Sequence, residues 1–184
     1  MAPCVGIVLA GGRSSRMGRD KAGLLWHTGV TWAEHARQRL LSVCDDVHVS
    51  HADDLADLRS DFIGPLGGIE SALTACMGRR CVFLPVDMPR VDESDLRVVT
   101  EVAEPHATYA QGWFPLMLTA TPDVLATVQS ILALPEARQR SVRALVEALQ
   151  PNISIIDAAA PDRLKNINDP VELQAMGLGE NTHG

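Results

Sequence analysis

Short apolar runs alternate along this chain with stretches of helical periodicity. Cys4-Val5-Gly6-Ile7-Val8-Leu9 is continuous and apolar and stops at glycines, as a strand buried on both faces does. From Thr31 to about Val43, Trp32, Ala36 and Leu40 recur on one side, which predicts a helix. Asp46 to Ser50 reads as a second strand. Gly64-Pro65-Leu66-Gly67-Gly68 is a turn feeding a helix that carries Ile69, Leu73 and Cys76. Cys81-Val82-Phe83-Leu84 is a third buried strand, broken by Pro85 and Pro89, with a helix near Val91. Further on, Thr108–Gln111 and Phe114–Thr119 predict two strands flanking Gly112-Trp113. Val124, Leu125, Val128, Ile131 and Leu132 have helical spacing. So do Val142, Leu145, Val146 and Leu149, with Ser141 as the cap. Ile153–Ile156 predicts a last strand, and Gly177–Gly184 a frayed tail.

Strands alternating with helices imply right-handed βαβ units, hence an α/β protein with a three-layer α/β/α sandwich and a mostly parallel sheet. Ligands of such sheets bind beyond the carboxyl ends of the strands. The loops after Leu9 and after Leu84 are therefore expected on one edge. With no repeat and no linker, residues 1–184 are read as a single domain.

Composition narrows the functional classes. At 46% hydrophobic and 21% charged residues the chain has a soluble globular balance. No run approaches the roughly 18 apolar residues of a membrane span. The stretch Met1 to Cys4 lacks the basic region of a signal peptide, so a cytoplasmic location is expected. Cys4, Cys44, Cys76 and Cys81 show no C-x-x-C spacing and read as free buried thiols. The scattered histidines are assigned no metal. A net charge of -7 argues against general nucleic-acid binding. Yet Arg13, Arg16, Arg19 and Lys21, four of the 16 basic residues, fall within nine positions and point to a local anion site.

That cluster lies in Leu9-Ala10-Gly11-Gly12-Arg13-Ser14-Ser15-Arg16-Met17-Gly18-Arg19-Asp20-Lys21. Glycines directly after a strand let backbone N–H groups approach phosphate oxygens closely, and Arg and Lys add charge-assisted contacts. Two familiar phosphate loops are excluded by spacing. Gly11 and Gly12 are adjacent, so there is no G-x-G-x-x-G, and Gly18 is followed by Arg19 rather than by the Lys-Ser/Thr of a P-loop.

The segment closely resembles the L-A-G-G-x-S-x-R-M-G-x-D-K signature of nucleotidyltransferases with a Rossmann-like, glycosyltransferase-A-like fold. Within that superfamily the chain is most similar to the molybdenum cofactor guanylyltransferase (MobA) family. Gly64-Pro65-Leu66-Gly67-Gly68 resembles its G-P-L-A/G-G turn, Leu84-Pro85-Val86-Asp87-Met88-Pro89 its P-C-D-T-P metal loop, and Asn166-Ile167-Asn168-Asp169-Pro170 its N-V-N-T-P segment. The motifs keep the family order from residue 5 to 173. The resemblance implies a nucleotide-binding half over residues 1–100 and an acceptor-binding half over 101–176, followed by the tail at 177–184.

It also implies transfer of GMP from Mg–GTP to the terminal phosphate of molybdopterin. Transfer by a molybdopterin cytidylyltransferase or a sugar-phosphate nucleotidylyltransferase is the alternative. Leu9, Ala10, Gly11 and Gly12 would line the nucleotide. Lys21 would hold a phosphate and stabilise the departing pyrophosphate, with Arg13 a second candidate for that role. Asp87 and Asn168 would hold Mg²⁺, and Ser50 and Asp61 would approach the nucleotide. Ser50 stands where the family often has Asn, and the spacer from Asp61 to Gly64 is shorter than is usual there. Arg140 and Arg143, in an R-S-V-R pattern, and Trp113 fall in segments that the family uses near the pterin. The implied partners are GTP and molybdopterin, with transient contact to molybdenum cofactor biosynthesis proteins or molybdoenzyme chaperones, and neither nucleic acid nor membrane.

Overall fold

The computed structural model describes residues 3–10, 25, 29–50, 54–59 and 64–167. Strands β1 (Cys4–Leu9), β2 (Asp46–Val49), β3 (Arg80–Pro85), β4 (His106–Tyr109), β5 (Leu116–Thr119) and β6 (Ile153–Ile156) form a six-stranded sheet in the order β2-β1-β3-β5-β4-β6. β1 pairs in parallel with β2 and β3, and β4 in parallel with β6. β5 alone runs against its neighbours β3 and β4, so the sheet is mostly parallel as expected. It is one continuous sheet from β2 to β6.

Among the described residues five helices cover it: α1 (Trp32–Leu41), α2 (Pro65–Ala75), α3 (Glu93–Glu101), α4 (Pro122–Leu132) and α5 (Val142–Ala148). Alternation along β1 assigns their faces. Gly6 lies under Leu40 of α1, whereas Leu9, an odd number of residues away, touches Gly68 of α2. α3 packs beside α1, α4 beside α2 and α5 beside α4, completing the three layers. Because both faces are covered, all six residues of β1 are buried, which explains the uninterrupted apolar run.

The helices begin where the side chains can cap them. Thr31, Thr121 and Ser141 each accept from the backbone N–H three residues on. α3 starts on a reciprocal box: Asp92 accepts from the N–H groups of Ser94 and Asp95, and Asp95 accepts from the N–H of Asp92. The pattern near Val91 marked this helix, but not its extent of nine residues.

The hairpin strands lie farther apart than the expected Thr108–Gln111 and Phe114–Thr119: β4 is displaced by two residues toward the amino end and β5 starts two residues later. They end at Tyr109 and restart at Leu116, because residues 110–115 form the turn. Gly112 and Trp113 both take positive φ there, 87° and 64°, which no strand accommodates. All four cysteines are buried and free, with Cys4 Sγ 3.2 Å from Cys44 Sγ. Burial pushes the Cys81 thiol up from its ordinary range. Among the described residues no helix is long and apolar enough to cross a membrane.

α1 rests directly on the sheet at Gly6, where an added Cβ would lie 2.8 Å from Leu40 Cβ and 3.0 Å from Val47 Cγ2. Leu40 is itself buried, and its Cβ is fixed to the helix backbone, so it cannot turn aside. Gly6→Ala is expected to destabilise the fold by about 1–3 kcal/mol through overpacking. Urea denaturation measures this, and an unchanged midpoint would show that α1 can shift at no cost.

Candidate nucleotide site at the carboxyl edge of the sheet

Parallel pairing brings the strand exits together. Leu9 lies opposite Pro85 in the β1–β3 register, and the N–H of Val86 donates to the Leu9 carbonyl at 3.2 Å. On the other side, the N–H of Ser50 donates to the Val8 carbonyl at 2.9 Å. Leu9, Ala10, Ser50 and Asp87 thus sit at the ends of three adjacent strands. The loops after Leu9 and Leu84 open on one edge, as the topology required. Gly11, Gly12, Arg13, Lys21, Asp61 and Asn168 lie outside the described residues.

α2 aims its amino end at this edge, since it enters from the β2 exit and leaves toward the start of β3. Gly64 caps it without a side chain, Pro65 occupies its first turn, and no acidic residue stands there. The N–H groups of that first turn and the helix dipole favour an anion at this end. The approach to the sheet is very close. A Cβ on Gly68 would lie 2.7 Å from Ser50 Oγ and 3.0 Å from Leu9 Cδ2. Ser50 is accordingly buried, and its hydroxyl donates to Asp57 Oδ1 at 3.4 Å.

The segment leading toward α2 is tied to the helix side. Arg59 donates through Nε and Nη2 to both oxygens of Glu70, at 2.6 and 3.0 Å. Nearby, the N–H of Leu58 donates to Ser71 Oγ at 2.9 Å. Nothing in the motif reading marked this pair. Its signal is Glu70 itself, a carboxylate in the otherwise small and apolar helix Pro65–Ala75.

Asp87 is half-buried in the loop between β3 and α3, and neighbours hold its backbone from three directions. Val86 is bound to β1 as described. His35 of α1 donates its Nε2–H to the Pro89 carbonyl at 3.1 Å, and the tautomer follows because a carbonyl can only accept. From the far end of the chain, the N–H of Ile167 donates to the Asp87 carbonyl at 2.7 Å. Magnesium takes one or two protein carboxylates and prefers phosphate oxygens and water for the rest. A half-buried carboxylate just past a strand end, on the edge toward which α2 turns its amino terminus, fits that donor set.

The residues expected near the acceptor divide. The β4–β5 turn lies at the same edge, because β4 runs parallel to β3, and it carries half-buried Trp113. A left-handed backbone is rare for so bulky a residue and is found where surroundings over-determine it. The turn is braced by Gln111 Oε1, which accepts from the N–H of Ala158 at 3.2 Å. Arg140 instead donates to the carbonyls of Leu134 and Pro135, at 2.8 and 3.1 Å, closing the turn after α4. Arg143 is exposed and bonds Glu147 one helical turn on, at 2.7 Å. Neither arginine bonds Trp113 or Asp87 among the described contacts.

Comparison with known proteins shows the family. Residues 6–153 match the model of the MobA-like NTP transferase domain. The chain is 34% identical to a molybdenum cofactor guanylyltransferase of Pseudomonas syringae pv. syringae, covering 98% of this chain and 96% of that one. It is also 34% identical to the enzyme of the same name from Xanthomonas euvesicatoria, covering 91% of each. Among solved structures, the molybdopterin-guanine dinucleotide biosynthesis protein A of Archaeoglobus fulgidus superposes with a TM-score of 0.66 at 16% identity, covering 93% of this chain and 95% of that one. At that identity the superposition speaks for the fold.

Glu70 supplies a pH test of how the site is braced. Its bonds from Arg59 hold the carboxyl below its ordinary value near 4.5, outweighing the opposite pull of burial. A carboxyl held low in the folded state stabilises the fold above its unfolded pKa and ceases to do so as pH falls through the folded one. Glu70→Gln should therefore cost about 1–2 kcal/mol at pH 7, with Arg59 partly exposed and free to find water. The gap from wild type should close as pH drops below about 4.5. Urea midpoints at pH 7 and pH 3 measure it, and a gap that stays constant would contradict the assignment.

Proposed function

The chain belongs to the MobA-like NTP transferase family, and from that membership we propose that it transfers GMP from GTP to the terminal phosphate of molybdopterin, releasing pyrophosphate. The observation that supports this most is the juxtaposition of the Leu9 exit, which leads into the glycine and basic loop, with the half-buried carboxylate of Asp87. Relatives of nearly equal length named as guanylyltransferases supply the choice of GTP and pterin.

The reaction needs little covalent help from the protein. An oxygen of the acceptor phosphate attacks the α-phosphorus of GTP, and the bond to the bridging oxygen breaks, its electron pair leaving with pyrophosphate. A phosphate monoester has a second pKa near about 6, so at neutral pH the nucleophile is already ionised and no general base is required. Catalysis is then positioning and charge neutralisation.

In this reading Asp87 and Asn168 would hold Mg²⁺, which would supply positive charge toward the triphosphate and the leaving pyrophosphate. Lys21, with Arg13, binds phosphate and the leaving group. Ala10, Gly11 and Gly12 turn backbone amides toward the nucleotide, and Leu9 packs beneath it. Ser50 and Asp61 flank the nucleotide on the β2 side. Trp113 stacks on the flat pterin, and Arg140 and Arg143 meet its anionic groups, sharing or exchanging their present partners on binding. The cytoplasm, where GTP is supplied, is the proposed compartment, with hand-over to cofactor-handling proteins after transfer.

Thermal unfolding with Mg²⁺ and each of GTP, CTP, ATP and UTP tests the nucleotide assignment. GTP at 100 times its dissociation constant should stabilise by about 2.7 kcal/mol. For a chain of this size that is a shift of about 5–11 °C. Lys21→Ala should remove most of it. A larger shift with CTP or UTP would replace guanylyl by another nucleotidyl group, and an undiminished shift in Lys21→Ala would remove that lysine from the site.

A further inference from the structure

The loop bearing Asp87 is held partly by a strap that has no ladder of its own. After β6 the chain crosses beside the β4–β5 turn, makes a short 3-10 turn at Pro161–Leu164, and reaches Asp87 through the N–H of Ile167. Two apolar side chains, Leu164 and Ile167, are buried beneath it. The polar anchor is Arg163. Its Nη1 lies 2.7 Å from Asp92 Oδ2, and its Nη2 donates to Asp95 Oδ1 at 2.7 Å and to Ser94 Oγ at 3.1 Å.

These partners lie at the start of α3, directly after the Asp87 loop. Asp92 and Asp95 form the capping box, and Asp95 is 4% exposed. One guanidinium thus spans both carboxylates that begin the helix, a geometry that a fork of donors can meet and a point charge cannot. Without it the buried carboxylate of Asp95 loses its guanidinium partner, and the strap is left with the Ile167 and Ala158 backbone bonds and its two buried apolar side chains.

We propose that Arg163 is a positioning residue for the metal carboxylate: by clasping the strap to the start of α3, it holds the Ile167–Asp87 bond and with it the Asp87 loop. Arg163 touches neither nucleotide nor acceptor in this account and acts only through Asp92, Asp95 and Ile167. The inference rests on the proposed metal role of Asp87.

The test uses the full chain with GTP and Mn²⁺ as the probe for the metal, read by electron paramagnetic resonance. Arg163→Ala should weaken Mn²⁺ binding roughly tenfold, the scale usual for a lost supporting contact around a ligand. Turnover lost at low metal should recover as metal saturates. Hydrogen exchange at the Ile167 amide should speed up, and Arg163→Lys should fall between the two. Should Arg163→Ala unfold, Arg163→Lys carries the same readouts. Asp87→Ala separates the two layers of the argument. If Asp87→Ala weakens Mn²⁺ binding while both Arg163 variants bind it and protect Ile167 as wild type does, the clasp is overturned. If Asp87→Ala itself binds Mn²⁺ normally, the metal role of Asp87 is what fails.

Discussion

The parallel pairing of β1 with β3 is the constraint on which the rest of this molecule depends. With Leu9 opposite Pro85, the loop after β1 and the loop bearing Asp87 must leave the sheet side by side. That pairing requires two covered faces, which in turn requires helices on both sides and a crossover between every pair of parallel strands. α2 is one such crossover, and the same geometry that covers the sheet points its amino end at the Leu9 and Ser50 exits. Anion-binding polarity and strand ends therefore meet at one edge as a consequence of topology.

What the topology brings together, local clasps hold in place. The Asp87 loop is bound by β1 through Val86, by α1 through His35 and by the strap through Ile167. The β2–α2 segment is bound by Glu70 and Ser71. A reaction whose nucleophile is already ionised gains little from an acid or base and much from fixed positions and charges. Against the overall charge of -7, the basic cluster from Arg13 to Lys21 is a local exception, and the proposed function assigns it to the triphosphate.

The first half of the chain was legible because its strands are buried on both faces and so appear as apolar runs that glycine or proline ends. β1 and β3 fall within one residue of their expected bounds, the helix expected from Thr31 starts there with Thr31 as its cap, and Ser141 caps the helix it was read to cap. The hairpin was less legible. Phe114 and Pro115 are buried like strand residues, but belong to a turn whose backbone at Gly112 and Trp113 is left-handed. Among the site residues, Leu9, Ala10, Ser50 and Asp87 do share an edge. The bracing contacts were not legible, since Arg59–Glu70 and Arg163–Asp95 join residues 11 and 68 positions apart and follow no local period. Arg140 and Arg143, legible as a basic pattern, have local partners in this structure that the pattern did not foretell.

The most direct measurement is transfer itself. The purified protein is incubated with Mg²⁺, molybdopterin and either GTP or CTP labelled in the α-phosphate, and pyrophosphate and labelled dinucleotide are counted. The account predicts that GTP yields pyrophosphate and dinucleotide in equal amounts, and only when the acceptor is present. Preferential transfer from CTP, or bound GTP that releases no pyrophosphate with acceptor present, would contradict it.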